Sequence, residues 1–429
     1  MAEIHQLYIA GLTPDPASVS PPVAEIICQA DVLAGGDRLL DMFRDHPGQK
    51  IKLTTPLSGW LAEIKQQQEE GRKVVVLASG DPNYFGLARM LFKVIDPARV
   101  TVLPSVTTVQ MAFARLKTSW EKVEVVSLHG HSGLSERKDG GLTGLWGALY
   151  RASHQSGSGY LAIYTDPKNT PAQIAKRLLG RGQGNWRMTV FEDLGTPDEA
   201  VTSLSLFEAK SRSFSPLNLV VLECLKKPVA ITLGMPESVY VHEAGLITKK
   251  EIRSVALGLL ELHPHHLMWD LGAGSGSVSI EAAAFLSHGF ILAVEKSPLR
   301  AEQIAANRAF FGAAQVEIVE DDAMAAMVHL PSPDRVFIGG GGENLEAIIK
   351  AARARLNSGG IIVANVVTLR ALDRASRAMT DLGLELSITQ LQASRSETLG
   401  DSLYLRPCNQ VWLVRGTLAS AEITAHQAG

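Results

Sequence analysis

The sequence predicts an α/β protein made of two successive strand–helix series. Short apolar runs rich in Val, Ile and Leu alternate with helix-period segments along nearly the whole chain. That alternation is the mark of sheets flanked by helices. It breaks once, at Lys226-Lys227-Pro228, where polar residues run into a proline. A glycine-rich turn, WDLGAGSGSVSI over Trp269–Ile280, joins a strand to a helix early in the second series. The chain is therefore divided into residues 1–228 and 229–429, each long enough to bury a core.

In the first series, strands are expected at Leu7–Ala10, Val32–Ala34, Val74–Ala78, Val100–Leu103, Val123–Leu128, Leu161–Tyr164, Met188–Phe191 and Leu219–Leu222. Helices are expected at Pro21–Ala30, Trp60–Glu70, Tyr84–Val94 and Pro171–Leu179. Ser20 stands where a cap belongs, and Pro21 suits a first helical turn. The polar, glycine-bearing tracts Ser132–Gly144 and Ser153–Gly159 read as surface loops.

The second series opens with helix Thr248–Leu262, whose apolar stripe is Ile252, Val255, Leu259 and Leu262. Strands follow at Leu267–Leu271, Phe290–Val294, Val316–Val319, Arg335–Ile338 and Ile361–Asn365. Helices Gly276–Ser287, Leu299–Phe311, Ala323–His329, Asn344–Leu356 and Leu369–Leu382 alternate with them. Leu384–Gln390 and Gln410–Val414 close the series as consecutive strands, an antiparallel pair at one sheet edge. Five βα steps followed by two such strands is the layout of a class I methyltransferase sheet.

Composition excludes several classes. The chain has 429 residues, is 46% hydrophobic, and balances 41 basic against 44 acidic residues for a net charge of −3. Wholesale disorder and a generally basic, nucleic-acid-binding surface are both excluded. Cys28, Cys224 and Cys408 lie far apart with no C-x-x-C pair. A disulfide framework or cysteine zinc site is not expected. MAEIHQLYIAGL has no basic leader, and no apolar run reaches the roughly 18 residues of a membrane span. The expected setting is soluble, reducing and cytoplasmic, with no nucleic-acid or membrane partner.

The strongest chemical signal is the turn after Asp270, with Gly272, Ala273, Gly274, Ser275 and Gly276. Glycines there let the backbone turn sharply and a ligand approach it. A tight βα turn with no ligand has the same look. Two acids point to a nucleoside. Glu295 ends the next strand, about 20 residues on, where a carboxylate accepts ribose hydroxyls. Asp322 follows the third strand, where a carboxylate can accept from an adenine amine. The spacing G-A-G-S-G lacks G-x-G-x-x-G, because Ser277 stands at its last position. That favours S-adenosylmethionine (SAM) over a dinucleotide. At the fourth strand end the chain reads Phe337-Ile338-Gly339-Gly340-Gly341-Gly342-Glu343-Asn344. It lacks the N-P-P-Y or D-P-P-Y of amine methylation on nucleic acid. Four glycines could admit a broad, flat substrate; a loop capping the next helix is the plainer reading.

In the first half, Ser79-Gly80-Asp81-Pro82 and Pro104-Ser105-Val106-Thr107-Thr108 each follow a strand. Alone, the first is a natural turn and helix entry, and the second a cap. Ser127-Leu128-His129-Gly130-His131 ends another strand, but no third metal ligand accompanies its His pair. His263, His265 and His266 read as a surface cluster, so no metal is expected.

Together these motifs resemble the tetrapyrrole methylase family, in its precorrin C5-methylating branch. The similar segments are Ala30–Leu40 (ADVLAGGDRLL), Val74–Phe85 (VVVLASGDPNYF), Leu103–Ala114 and Val126–Gly130 (VSLHG). The second half resembles the decarboxylating precorrin C15-methyltransferases through Ile247–Arg253 (ITKKEIR), WDLGAGSGSVSIEAA and FIGGGGEN. The whole, over about residues 4–415, looks like a fusion of the two. One segment departs: where the family has G-x-G-P-G after its first strand, this chain reads Gly11-Leu12-Thr13-Pro14-Asp15.

The resemblance implies an N-terminal two-lobed tetrapyrrole methylase fold followed by a Rossmann-like class I SAM methyltransferase sheet. It implies one SAM site per half. Gly80, Asp81, Pro82, Ser105, Thr107 and Thr108 would serve the first, and Thr248 joins the residues named above in the second. It implies a precorrin substrate in cobalamin biosynthesis, methylated at C5 and C15 with loss of a ring acetate carboxyl. Meso carbons of such a substrate are enamine-like, so orientation and desolvation suffice and no enzyme nucleophile is assigned. Its carboxylates call for cations. Lys249, Arg253 and Arg395 are the candidates beside Gly339 and Gly340, although each also reads as a solvated basic residue. A homo-oligomer built through the second half is implied as well. Two other readings stay open: a SAM enzyme acting on RNA or protein, and a first half that only binds.

Overall fold

The computed structural model describes residues 7–128, 143–155, 157–243 and 245–419. Three main sheets result. The first contains β1 (Leu7–Leu12), β2 (Val32–Gly35), β3 (Gln49–Lys52), β4 (Val74–Ser79) and β5 (Val100–Leu103). All pairings are parallel, in the order β3-β2-β4-β1-β5. Its central strands are covered on both faces, which requires near-continuous apolar runs. Leu7 and Ile9 pack with Trp60, Ile64 and Leu91 on one face; Ala10 and Leu12 pack with Ile27, Leu33 and Leu39 on the other. β3 escaped the sequence reading because it is an edge strand, QKIK, in which only Ile51 is buried.

The second sheet contains β6 (Glu124–Ser127), β7 (Tyr160–Tyr164), β8 (Trp186–Glu192), β9 (Ala200–Ser205) and β10 (Asn218–Cys224). Its order is β6-β7-β10-β8-β9, and only β6–β7 is parallel. These two five-stranded sheets are the two expected lobes. β9, an exposed edge strand, was also not legible.

The third sheet contains β11 (Leu267–Leu271), β12 (Phe290–Val294), β13 (Val316–Val319), β14 (Arg335–Ile338), β15 (Ile361–Val366) and β16 (Glu385–Leu391). After a separate hairpin of β17 (Ser394–Leu399) and β18 (Ser402–Pro407), β19 (Val411–Thr417) returns to the sheet. The order is β13-β12-β11-β14-β15-β19-β16, with β19 antiparallel to both neighbours. The expected antiparallel pair is thus present, with β16 outermost. No described helix is long and apolar enough to cross a membrane.

Two local expectations fail for identifiable reasons. Ser20 makes no side-chain cap bond; Pro21 and Pro22 have no N–H to offer in the first two helical positions. The helix expected over Tyr84–Val94 shrinks to Ala88–Leu91. The chain first turns tightly at Gly86, where an added Cβ would sit 2.2 Å from the Pro82 carbonyl oxygen.

The two halves also touch each other through ion pairs, hydrogen bonds and apolar contacts. The Arg181 guanidinium lies over the Trp146 ring at 4.1 Å and the Phe290 ring at 5.7 Å. It donates to the Ala314 carbonyl at 2.8 Å and pairs with Glu317. Arg151 pairs with Glu124 and donates to the Ser287 carbonyl at 2.8 Å. One apolar cluster runs from Trp146 and Trp186 to Phe290 and Leu292. The contact joins the N-terminal ends of strands on both sides: the starts of β6 and β8 face the starts of β12 and β13.

Candidate functional site

In the second half, the named residues gather at the C-terminal ends of β11 to β14, the end where open α/β sheets bind ligands. Asp270 is 1% exposed. Its Oδ2 accepts from the Ser279 hydroxyl at 2.6 Å, while Oδ1 has no partner. Burial pushes this carboxyl up to about 6. Gly272, Gly274 and Gly276 have φ of +74°, +59° and +76°, the left-handed region that favours glycine. A Cβ on Gly276 would meet Ile304 at 2.9 Å, whereas at Gly274 the space is open. The turn is fixed from outside: Gly272 and Ala273 N–H both donate to the Val294 carbonyl. Ser275 is buried with an unpartnered hydroxyl. Two buried polar atoms without partners, Asp270 Oδ1 and Ser275 Oγ, flank an open glycine backbone. That fits a polar ligand such as SAM.

Glu295 is 5% exposed. Its Oε2 accepts from Gly274 N–H at 2.9 Å and its Oε1 from Ser297 N–H at 3.0 Å. Each oxygen keeps a further lone pair for a hydroxyl donor. Asp322 is exposed, and its Oδ1 caps the helix Ala323–Met327 by accepting from Met324 N–H at 2.9 Å. The Gly339–Gly342 loop passes the glycine turn backbone to backbone: a Cβ on Gly339 would stand 2.9 Å from the Gly272 carbonyl oxygen, and Gly340 faces open space. Thr248 and Lys249 lie at the entry to the helix Lys250–Leu259, both half-buried.

Two of the three nominated cations are corrected. Arg253 is wholly buried, pairs with the equally buried Glu281 at 2.8 Å, and donates to the Met235 carbonyl. No substrate can reach it; it sits on the inward stripe of its helix beside Ile252 and Ala256. Arg395 binds both Glu237 and Glu251 at 2.7 Å, tying β17 to the body of the half. Burial alone would raise Glu237, but the hydrogen bonds and charge of Arg395 together with the backbone N–H groups of Glu237 and Lys250 outweigh it and hold that carboxyl down at about 2. A substrate carboxylate would have to displace two partners, so Arg395 is structural. Lys249 has no ion pair among the described residues.

In the first half, Gly11 stands where three strand ends meet. A Cβ there would lie 2.1 Å from the Gly80 carbonyl oxygen and 2.8 Å from Ser105 N. The one family glycine kept in the departing loop is the one this approach demands. Gly80, Asp81, Thr107 and Thr108 line a cavity of about 560 Å³ between the first two sheets, with Arg38, Phe85, Tyr164 and Asn218 around it. Ser105 lines an adjoining cavity of about 420 Å³ with Gly11 and Thr13. Pro82 is buried within the same turn. The Thr107 side chain forms a reciprocal cap with Gln110. Arg38 and Phe85 lie in segments quoted above, but nothing in their spacing says that they share a cavity wall. His129 and His131 lie outside the described residues. In the exposed His263–His266 loop, His263 N–H donates to His266 Nδ1 at 3.1 Å.

Comparison with known proteins finds two family matches along the chain. Residues 6–210 match the tetrapyrrole (corrin/porphyrin) methylases, and residues 238–416 the precorrin methyltransferase domain. A precorrin-6Y C(5,15)-methyltransferase (decarboxylating) of a Sinorhizobium species is 32% identical over 357 residues, 82% of each chain. A probable cobalt-precorrin-6B C(15)-methyltransferase (decarboxylating) of Pyrobaculum calidifontis is 39% identical over 43% of this chain and 95% of its own. A crystal structure of a Geobacter metallireducens precorrin-6Y C5,15-methyltransferase covers 43% of this chain and 98% of its own, with 38% identity and a TM-score of 0.42. With similarity at this level running through both halves, the chain belongs to the family of decarboxylating precorrin-6Y C(5,15)-methyltransferases.

Proposed function

We propose that this chain uses SAM to methylate a precorrin at C5 and C15 and removes the carboxyl group of a ring acetate, in cobalamin biosynthesis. Residues 1–228 serve C5; residues 229–429 serve C15 and the decarboxylation. The observation that carries this is the presence of two separate clusters at strand C-terminal ends, one between the first two sheets and one on the third.

SAM, when bound, supplies an electrophilic methyl group on sulfur. In the second half, Glu295 accepts from ribose hydroxyls while its bonds to Gly274 and Ser297 fix it. Asp322 offers its remaining oxygen to the adenine amine. Asp270 Oδ1 and Ser275 Oγ, unpartnered otherwise, take the amino-acid end. The open backbone at Gly340 lets a flat macrocycle come close. Lys249 pairs with a carboxylate that is retained. The ring acetate carboxylate leaves as carbon dioxide, the pair of the broken C–C bond passing into the substrate's own conjugated imines, and the protein's part is to exclude water.

The exposed β17–β18 hairpin supports the expectation of self-association through the second half. Leu399, Leu403 and Leu405 are 69%, 75% and 69% exposed on it. Calorimetric titration with SAM tests the central claim. Two sites per chain are expected, of which Asp270→Ala removes one. A single site would reduce the first half to a binding module.

A further inference from the structure

We propose that Phe85 and Arg38 hold the precorrin in the first half, Phe85 against the macrocycle face and Arg38 on a peripheral carboxylate. This rests on the C5-methylation reading above and names residues within it.

Phe85 combines two features that folding alone does not reward. Its φ is +54°, in the left-handed region that bulky residues rarely enter. The conformation is imposed by the tight turn around Gly86, where Tyr84 N–H donates to the Asp81 carbonyl and Ala88 N–H to the Pro82 carbonyl. Yet the ring bought by this strain is not packed into the core; it is 57% exposed. Strained residues that the fold over-determines cluster at ligand sites. The ring stands 4.9 Å from that of Tyr84, edge to face, and 5.9 Å from that of Tyr164. All three line the 560 Å³ cavity, so they form one aromatic wall. Burial pushes the Tyr164 phenol up to about 12, so the wall carries no charge that would repel a carboxylate.

Arg38 is the single cation lining that cavity among the described residues. One of its nitrogens donates to the Ser79 hydroxyl at 2.8 Å. Its neighbour Asp37 is taken by Lys52 at 2.6 Å, and Asp193 acts on Arg38 only through space, with no ion pair between them among the described residues. A guanidinium so placed has donors left for a bidentate carboxylate. A cavity of this size takes one small ligand. A precorrin is larger, so its macrocycle meets the rim, where Phe85 projects. An apolar, π-faced, polycarboxylate substrate is the chemistry that uses an exposed ring and a guanidinium without an ion-pair partner together.

The test uses the full chain and four variants: Phe85→Gly, Phe85→Trp, Arg38→Gln and Arg38→Lys. C5 methylation, C15 methylation with decarboxylation, SAM titration and Tm are measured for each. Glycine accepts the positive φ, so Phe85→Gly should hold or raise Tm. Its kcat/KM for precorrin at C5 should fall about tenfold, the scale of losing one ring-on-ring stack. SAM stoichiometry and C15 chemistry should not change, and Phe85→Trp should keep most of the activity. Arg38→Gln should raise the C5 KM roughly tenfold, with Arg38→Lys recovering part of it. Normal C5 kinetics in Phe85→Gly and Arg38→Gln, with the wild type active, would overturn the proposal alone. Loss of a SAM site in Phe85→Gly would overturn it too, by giving the ring to the cofactor. No C5 methylation by the wild type would remove the reading beneath it.

Discussion

Replacing Arg253 separates a substrate contact from a structural ion pair. Arg253 and Glu281 are both fully buried, with Arg253 Nε 2.8 Å from Glu281 Oε1. Glu281 also accepts from Gly234 and Met235 N–H, each at 2.9 Å, and from the Tyr240 hydroxyl at 3.1 Å. Arg253 in turn donates to carbonyls of Met235 and Thr248. The pair therefore pins the 234–240 segment and the helix Lys250–Leu259 against the helix Ser277–Ala283. Removing one partner leaves an uncompensated buried charge, which costs about 3–5 kcal/mol. For a unit of some 200 residues, each kcal/mol moves Tm by about 2–4 °C. Arg253→Met should thus lower the Tm of the second half by roughly 6–20 °C in scanning calorimetry. At temperatures where the variant is folded, its KM for precorrin in the C15 reaction should match the wild type. An unchanged Tm with a raised KM would refute this and restore Arg253 as a substrate ligand.

Other outcomes follow from the same geometry. Glu295→Ala should weaken SAM at the second-half site by at least about tenfold, since each hydrogen bond to a charged group contributes roughly 1.5–3 kcal/mol; unchanged affinity by calorimetry would show that this acid only braces the glycine turn. Asp270 titrates near 6 in the fold and about 3.9 unfolded, so the folded state holds the extra proton between those values and this group's contribution to stability falls as pH rises from about 4 to about 6. Asp270→Asn should therefore be more stable than the wild type by about 2–3 kcal/mol at neutral pH and nearly equal to it at pH about 4, while losing SAM affinity; a stability difference independent of pH would exclude the buried charge as its cause. Arg181→Ala removes the guanidinium stacked on Trp146 and bonded to Ala314 and Glu317, so the two halves should melt in separate calorimetric transitions or be cut apart by limited proteolysis near Pro228; a single transition equal to the wild type's would show that the apolar cluster alone holds them.

The fold was legible where a local pattern and its burial coincide. β4 (VVVLAS) and β11 (LMWDL) are covered on both faces, so their sequences are continuously apolar and announce themselves. β3, β9 and the β17–β18 hairpin lie at edges or outside the sheets, where few side chains need be apolar. Pairing alone makes them strands, and pairing is tertiary. The glycine turn and Glu295 were legible for the same reason as the buried strands: one strand end and one turn specify them. The fate of a cation is different. Arg253 and Arg395 met carboxylates 28 and more than 140 residues away in sequence. A charge is neutralised through space, and spacing along the chain carries no record of it. The shared cavity of Arg38, Phe85 and Tyr164 arises because two sheets close on each other. The sequence by itself determined the α/β alternation, the glycine-bearing turns at strand ends and the family. The docking of the halves through the N-terminal ends of their strands, and which charged side chains stay exposed, were decided only when the chain folded, because both depend on contacts between elements and not on pattern within them.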